Sequence, residues 1–381
     1  MNYMRYQRCT RCVMDTTDQK ITFDAQGVCN HCRQFEEVTR KRWYPNSEGA
    51  RLWAASLEEI KTAGKGQEYD CIIGLSGGVD SSYLAIKAHE WGLRPLVMHV
   101  DAGWNSELAV ANIEAIVKHC SYDLHTHVVD WEDMRDLHLA YLRAGVSNQD
   151  VAQDHAFFAG LYHFATRNKV RYVLSGGNLA TESIFPTSWQ GSAMDAINLK
   201  AIHKKYGERK LKNYQTISFF EYYFWYPLVK RMRVLRPLNY MHYNKMEALQ
   251  ELEETVGYKP YPRKHGESVF TKWFQNHYLP VKFNMDKRLP HLSSMIVSGQ
   301  MMREDALHKL EEPLYAPADL EIDIDYLCKK LRISRQEFDG IMGVEVHDYS
   351  DFPNWDGLCE SALNVKKIMK KISGFDFKAY S

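Results

Sequence analysis

From Tyr69 onward, hydrophobic and polar positions fall into alternating short and long runs. Cys71-Ile72-Ile73-Gly74 is a short apolar run with β-branched residues and predicts a strand. Tyr83-Leu84-Ala85-Ile86-Lys87-Ala88 has the spacing of an amphipathic helix, ended by Gly92 with Pro95 just beyond. The alternation then repeats. Pro95–Asp101, Leu124–Asp130 and Val170–Leu174 read as strands, and Leu108–Val117 and Val151–Asn168 as helices between them. Val234–Leu238 resembles a short last strand. This order predicts an α/β fold with a doubly wound, mostly parallel sheet over residues 69–243.

Outside that block, residues 36–68 are charged and helical in tendency, and predict a connector packed on the sheet domain. Phe219–Tyr226 is apolar nearly all the way round, which predicts a packed helix that also offers a docking face. In residues 244–381 the patterns Tyr326–Leu331 and Ala362–Met369 predict helices, with capping-box spacing at Ser334–Glu337. No internal repeat or low-complexity tract interrupts the chain.

Two turns in the block carry chemistry. Ser76-Gly77-Gly78-Val79-Asp80-Ser81-Ser82 joins the first strand to its helix. Adjacent glycines let backbone N–H groups approach a ligand, and the serines add donors at the positive end of a helix, an arrangement suited to pyrophosphate. No Lys follows these glycines, so a Walker-type kinase or γ-phosphate hydrolase is disfavoured. Ser175-Gly176-Gly177-Asn178 repeats the strand-to-glycine pattern one topological step later, with Thr181 and Glu182 expected toward the reacting end. Asp101 closes the second strand. It either lines a ligand crevice at the carboxyl edge, with residues 102–106, or caps the next helix.

The N-terminus adds Cys9-x-x-Cys12 and Cys29-x-x-Cys32 around a strand-like Ile21-Thr22-Phe23 and a turn at 24–27. Four thiolates at this spacing fit one structural Zn²⁺ in a zinc-ribbon module over residues 1–35, with a redox dithiol pair or an iron–sulfur site as competing readings. Charge is balanced at 48 basic and 48 acidic residues, which leaves no global field to draw nucleic acid or an anionic membrane. No apolar run has spanning length and no signal-peptide pattern is present, so a cytoplasmic protein is expected. The last informative stretch, Arg263 to Leu307, sets Lys and Arg among Ser and His residues and suits phosphates or an anionic substrate, although a solvated helical face has the same composition.

SGGVDSS matches the SGGxDS signature of PP-loop ATP pyrophosphatases. Together with Cys9-x-x-Cys12-Val13-Met14-Asp15, Gly27-x-Cys29-Asn30-x-Cys32, Lys264-His265-x-Glu267-Ser268 and Ser298-Gly299-Gln300-Met301, it resembles the N-acetyl sugar amidotransferases of the WbpG/PseA group across almost the whole chain. The resemblance implies adenylation of a sugar acetamido oxygen by ATP and its replacement by ammonia, giving an acetamidino group in surface-polysaccharide or nonulosonic acid biosynthesis. It implies that Ser76, Gly77, Gly78, Ser81 and Ser82 hold the pyrophosphate, with Asp101, Gly176, Gly177 and Asn178 also at the ATP. Asp80 would orient Mg²⁺ or its waters. On position and chemistry alone, Lys264 is expected to stabilise charge developing on the phosphates and Glu267 to act beside it in catalysis. The implied partners are a nucleotide-activated diacetamido sugar as substrate and, as ammonia source, a HisH-like glutaminase with a HisF-like protein. A tRNA thiolase shares the CxxC knuckles and the SGGxDS loop and is the competing resemblance.

Overall fold

The computed structural model describes residues 5–261 and 267–361. Its centre is one five-stranded sheet, β1 (Cys71–Gly74), β2 (Pro95–Asp101), β3 (Leu124–Val128), β4 (Tyr172–Leu174) and β5 (Arg233–Leu235), in the order β3-β2-β1-β4-β5. All four pairings are parallel. Ile72 lies opposite Leu96 on one side and Val173 on the other, so β1 is central. Parallel strands need crossovers, and helices supply them on both faces. Helices Val79–Glu90, Glu107–Cys120 and Lys245–Val256 cover one face through Ala85, Ile113, Ile116, Ala248 and Leu252. Helix Val151–Arg167 covers the other, packing Ala159, Tyr162 and Ala165 on Ile72, Leu96 and Met98. This is the doubly wound architecture expected, with the strand order reversing around β1.

Three elements differ from the expectation. Helix Trp131–Ala144 follows β3, where the apolar pattern predicts no element, because Asp133, Asp136 and His138 occupy its buried side. Asp133 Oδ2 accepts the backbone N–H groups of Lys212, Asn213 and Tyr214, and Asp136 accepts those of Glu208 and Arg209. These carboxylates pin down an irregular loop, whose orphan N–H groups they satisfy. The aromatic run winds as a wide π-type helix, Glu221–Val229, with Pro227 inside it. One side packs Tyr222 and Tyr223 on Trp355, while Phe220, Leu228 and Val229 remain exposed. Asp101 caps no helix: Ser106 caps Glu107–Cys120, its Oγ accepting from Ala109 N.

Helix Ser47–Ala63 packs Trp53 and Ile60 in one cluster with Ile73, Leu84 and Leu174, while Glu267, Ser268 and Thr271 reach the carboxyl ends of the strands. Phe270, Trp273 and Tyr278 form a core with Ile324, Leu327 and Phe338, and the expected capping box at Ser334 and Glu337 is present. The N-terminal cysteines pack against Leu289, Leu292 and Val297 of helix Arg288–Val297. Ala362–Met369 and Lys264 lie outside the described residues. No helix among the described residues is long and apolar enough to cross a membrane.

Candidate active site

The turn after β1 is shaped by its own hydroxyls. Ser76 N–H donates to Ser81 Oγ (3.3 Å), Gly78 N–H to Ser76 Oγ (3.3 Å), and Ser81 Oγ to the Gly78 carbonyl (3.1 Å). Gly77 is required on two counts. Its φ is +83°, and a Cβ there would lie 2.9 Å from the Ala109 carbonyl. Its own carbonyl accepts from Tyr258 and Tyr261, at 2.8 and 3.0 Å. Gly78 begins helix Val79–Glu90 and caps it with no side chain, so the first helical N–H groups open outward. Ser82 does not reach the ligand side. It is fully buried on the core side, and its Oγ has no partner among the described residues.

The second glycine turn presses against the first. A Cβ on Gly176 would lie 2.8 Å from the carbonyl carbon of Asp80 and 2.9 Å from Ser81 N, so only glycine permits this approach. Asn178 Nδ2 donates to Asp80 Oδ1 (3.3 Å), and Tyr243 Oη donates to the same oxygen. Burial and the Asp80 charge push the Tyr243 phenol far up, so it stays a donor. Thr181 turns inward rather than toward the reacting end: it is buried and donates to Asn178 Oδ1 (3.1 Å).

Two cavities meet at these turns. One, of about 530 Å³, runs over the carboxyl ends of β1, β2 and β4, and is lined by Met98, Val100, Phe157, Leu161 and the polar Asn105, Asp150, Gln153 and Asp154. The other, of about 690 Å³, lies over the start of helix Val79–Glu90, with Gly78, Asp80, Ser81, Gly177 and Glu182 on one wall and Lys245, His291 and Lys309 on the other. Ser76, Gly176 and Glu267 line both. A Cβ on Gly78 would lie 3.8 Å from Glu267 Oε1, which puts that carboxylate at the partition. Asp101 lines neither cavity. It accepts from Gly103 N (2.7 Å) and Asn105 Nδ2 (3.1 Å).

Most cations expected to bind anions are spent on the fold. Lys272 pairs with Asp323 at 2.5 Å, and Lys282 donates to the carbonyls of Ile341, Met342 and Val344. Arg288 forks onto Asp286 and the carbonyls of Lys309, Leu310 and Glu312. The Ser and His residues brace the site instead: Ser298 Oγ donates to the Ala180 carbonyl (2.7 Å), and His291 Nδ1 meets that of Thr181 (3.2 Å). Gln300 Nε2 donates to the Tyr243 carbonyl (2.9 Å), steadying the phenol that holds Asp80. The pattern of Ser, Gln and Tyr spacing carries no signal for that relay.

Cys9, Cys12, Cys29 and Cys32 are brought together with all four Sγ atoms within 4.8 Å of one another. The contacts Cys12–Cys29 and Cys9–Cys32 are 3.7 and 3.9 Å, and four sulfurs ~2.3 Å from a tetrahedral ion lie ~3.8 Å apart. Backbone N–H groups of Cys12 and Cys29 donate to Cys9 Sγ, as a thiolate ligand requires. The set therefore fits a closed structural Zn²⁺ site. It is tied to the rest of the site by Arg303, which donates to the carbonyls of Cys9 and Cys12, and by Val13 N–H, which donates to Ser293 Oγ.

Residues 267–369 match the family model "LPS biosynthesis protein WbpG-like, C-terminal domain". No curated protein matches the chain in sequence. Among solved structures, the NMN synthetase from Francisella tularensis is similar at 13% identity and a TM-score of 0.36, over 70% of this chain and 98% of that one. The NAD⁺ synthetase from Burkholderia pseudomallei is similar at 15% identity and a TM-score of 0.33, over 79% and 95%. The C-terminal part of this chain, which supplies Glu267 and His291 to the cavities, thus matches the WbpG-like C-terminal domain, and it is joined here to a parallel α/β sheet and an N-terminal four-cysteine module.

Proposed function

We propose that the protein is a cytoplasmic ATP-dependent amidotransferase that converts a sugar acetamido group to an acetamidino group. The observation that carries this reading is the shared wall: the uncapped helix start beside the two glycine turns opens into a space whose opposite side is built by the WbpG-like domain. An amide carbon is a weak electrophile, and its oxygen is a poor leaving group. ATP solves both problems at once.

In the first step the acetamido oxygen attacks the α-phosphorus of ATP, the α–β bridge bond breaks, and pyrophosphate leaves. Ser76, Gly78 and Ser81 receive the pyrophosphate, and the dipole of helix Val79–Glu90 favours the charge that develops there. In the second step ammonia adds to the adenylated imidate carbon, a proton is lost, and AMP departs with the former amide oxygen. Glu267, which lines both cavities, accepts that proton. Asp80, held by Tyr243 and Asn178, would hold Mg²⁺ or its waters, and the ion would neutralise phosphate charge.

Ammonia is scarce at neutral pH, so its source matters. Cys71, Cys120 and Cys328 are buried, and burial pushes their thiols up, Cys120 to about 11. None has the low-pKa setting of a glutaminase nucleophile or of a thiolase sulfur carrier. This favours ammonia from a separate HisH-like glutaminase with a HisF-like protein, and disfavours tRNA thiolation. The exposed side of helix Glu221–Val229 is the proposed docking face. The test is product analysis with ATP, ammonium chloride and either UDP-2,3-diacetamido-uronate or a CMP-linked diacetamido nonulosonate. AMP and pyrophosphate formed only with a sugar, and a product lighter by about one mass unit, are expected. ADP formation, or AMP formation driven by tRNA alone, would overturn the reading.

A further inference from the structure

Asn105 stands in the loop after β2 with both of its amide hydrogens committed. His99 sets the first. Its Nδ1 lies 2.9 Å from the Leu75 carbonyl, which can only accept, so Nδ1 carries the proton. The amide atom of Asn105 that meets His99 Nε2 at 2.9 Å also lies 3.1 Å from Asp101 Oδ1. A carboxylate accepts and does not donate, so that amide atom is nitrogen and its second hydrogen is used there. His99 Nε2 is then the acceptor of the first. Asp101 and His99 together deny the amide its other orientation. What Asn105 presents to the cavity over β1, β2 and β4 is therefore its carbonyl oxygen, which has no donor among the described residues.

The loop that carries it is equally fixed. Ser106 N–H donates to the Glu267 carbonyl (2.8 Å), and Asn105 forms a β-bridge with Ser268, while Trp104 is buried and donates through Nε1 to His138 Nε2 (2.9 Å). The cavity it faces has apolar walls at Met98, Val100, Phe157 and Leu161, suited to a flat ring. A pre-oriented acceptor at the edge of an apolar slot selects a ring that carries an N–H donor.

We infer that Asn105 selects the base of the nucleotide, accepting a hydrogen bond from the exocyclic amine of adenine, with Asp101 and His99 as positioning residues. This rests on the ATP reading above. A purine with an oxygen at that position would set acceptor against acceptor, and one with hydrogen there would leave the Asn105 oxygen unpaired in the cavity.

The experiment measures binding of ATP, ITP and purine riboside triphosphate by calorimetry, with pyrophosphate as a ligand that reads only the glycine turns. Wild-type protein is expected to bind ATP about tenfold or more tighter than either analogue. Asn105→Ala should lose that preference and keep pyrophosphate binding. Asp101→Asn, which removes the carboxylate that fixes the amide, should narrow the preference without touching the ligand, an effect a merely structural residue would not have. If ATP binds but its preference over purine riboside triphosphate is absent in wild type, or survives in the variants, the inference fails. If no triphosphate binds while the protein is folded, it is the ATP reading itself that fails.

Discussion

Gly176 and Gly177 are neighbours in one turn, and substitution by alanine should have very unequal consequences. At Gly176 the new methyl would meet backbone of Asp80 and Ser81 at 2.8 to 2.9 Å, and backbone cannot swing aside. At Gly177 it would meet only side-chain atoms, Ser175 Oγ at 3.4 Å and Arg236 Nε and Glu182 Oε2 at 3.8 Å, which is ordinary contact. Overpacking of the first kind costs ~1–3 kcal/mol. Forcing the turns apart also breaks the Asn178–Asp80 hydrogen bond, to a charged acceptor, at a further ~1.5 kcal/mol or more. A total of ~3–4 kcal/mol divided by the unfolding entropy of 381 residues, ~0.8 kcal/mol/K at ~2.1 cal/mol/K each, lowers Tm by ~4–5 °C. Calorimetric melting of Gly176→Ala and Gly177→Ala should show that fall in the first and ~1 °C or less in the second. Equal shifts in the two variants would refute the close approach of the turns.

Zinc analysis of the purified protein should give one ion per chain. Cys12→Ser should lose it, and hydrogen exchange should then rise in helix Arg288–Val297, because Val13 and Arg303 couple the cysteines to that region. Burial, aided by the Asp150 charge and opposed by Lys287, pushes Asp154 up to about 8 from an ordinary 3.8. The folded protein then keeps a proton that the unfolded chain has lost between about pH 4 and pH 8, so Asp154 lowers stability progressively as pH rises through that window. Urea midpoints should show Asp154→Asn gaining on wild type from pH 5 to pH 8 and levelling off above; a gap that does not change with pH would contradict this.

The central strands, their helices and the first glycine turn were legible because each is local: a short apolar run, two glycines, a helical repeat. Helix Trp131–Ala144 was not, because it buries Asp133 and Asp136 against partners more than sixty residues away and His138 against Trp104, and buried polar groups erase the apolar stripe. The cationic stretch misled for a related reason. Arg303 satisfies the carbonyls of Cys9 and Cys12, and Lys282 those of residues 341 to 344, contacts that composition does not reveal. Ser82 shares its motif with Ser81 but points the other way on the helix, one residue being a rotation of about 100°. Asn105 became conspicuous only once His99 and Asp101 were seen to hold its amide.

Transfer of the acetamido oxygen to AMP is the chemistry that identifies adenylation of the acetamido group. The decisive measurement is mass spectrometry of AMP released in the presence of ammonium and a diacetamido nucleotide sugar labelled with ¹⁸O in its acetamido carbonyl. The expected result is AMP carrying one ¹⁸O for each acetamidino product formed. AMP without the label, alongside the same product, would contradict attack by the acetamido oxygen on the α-phosphorus.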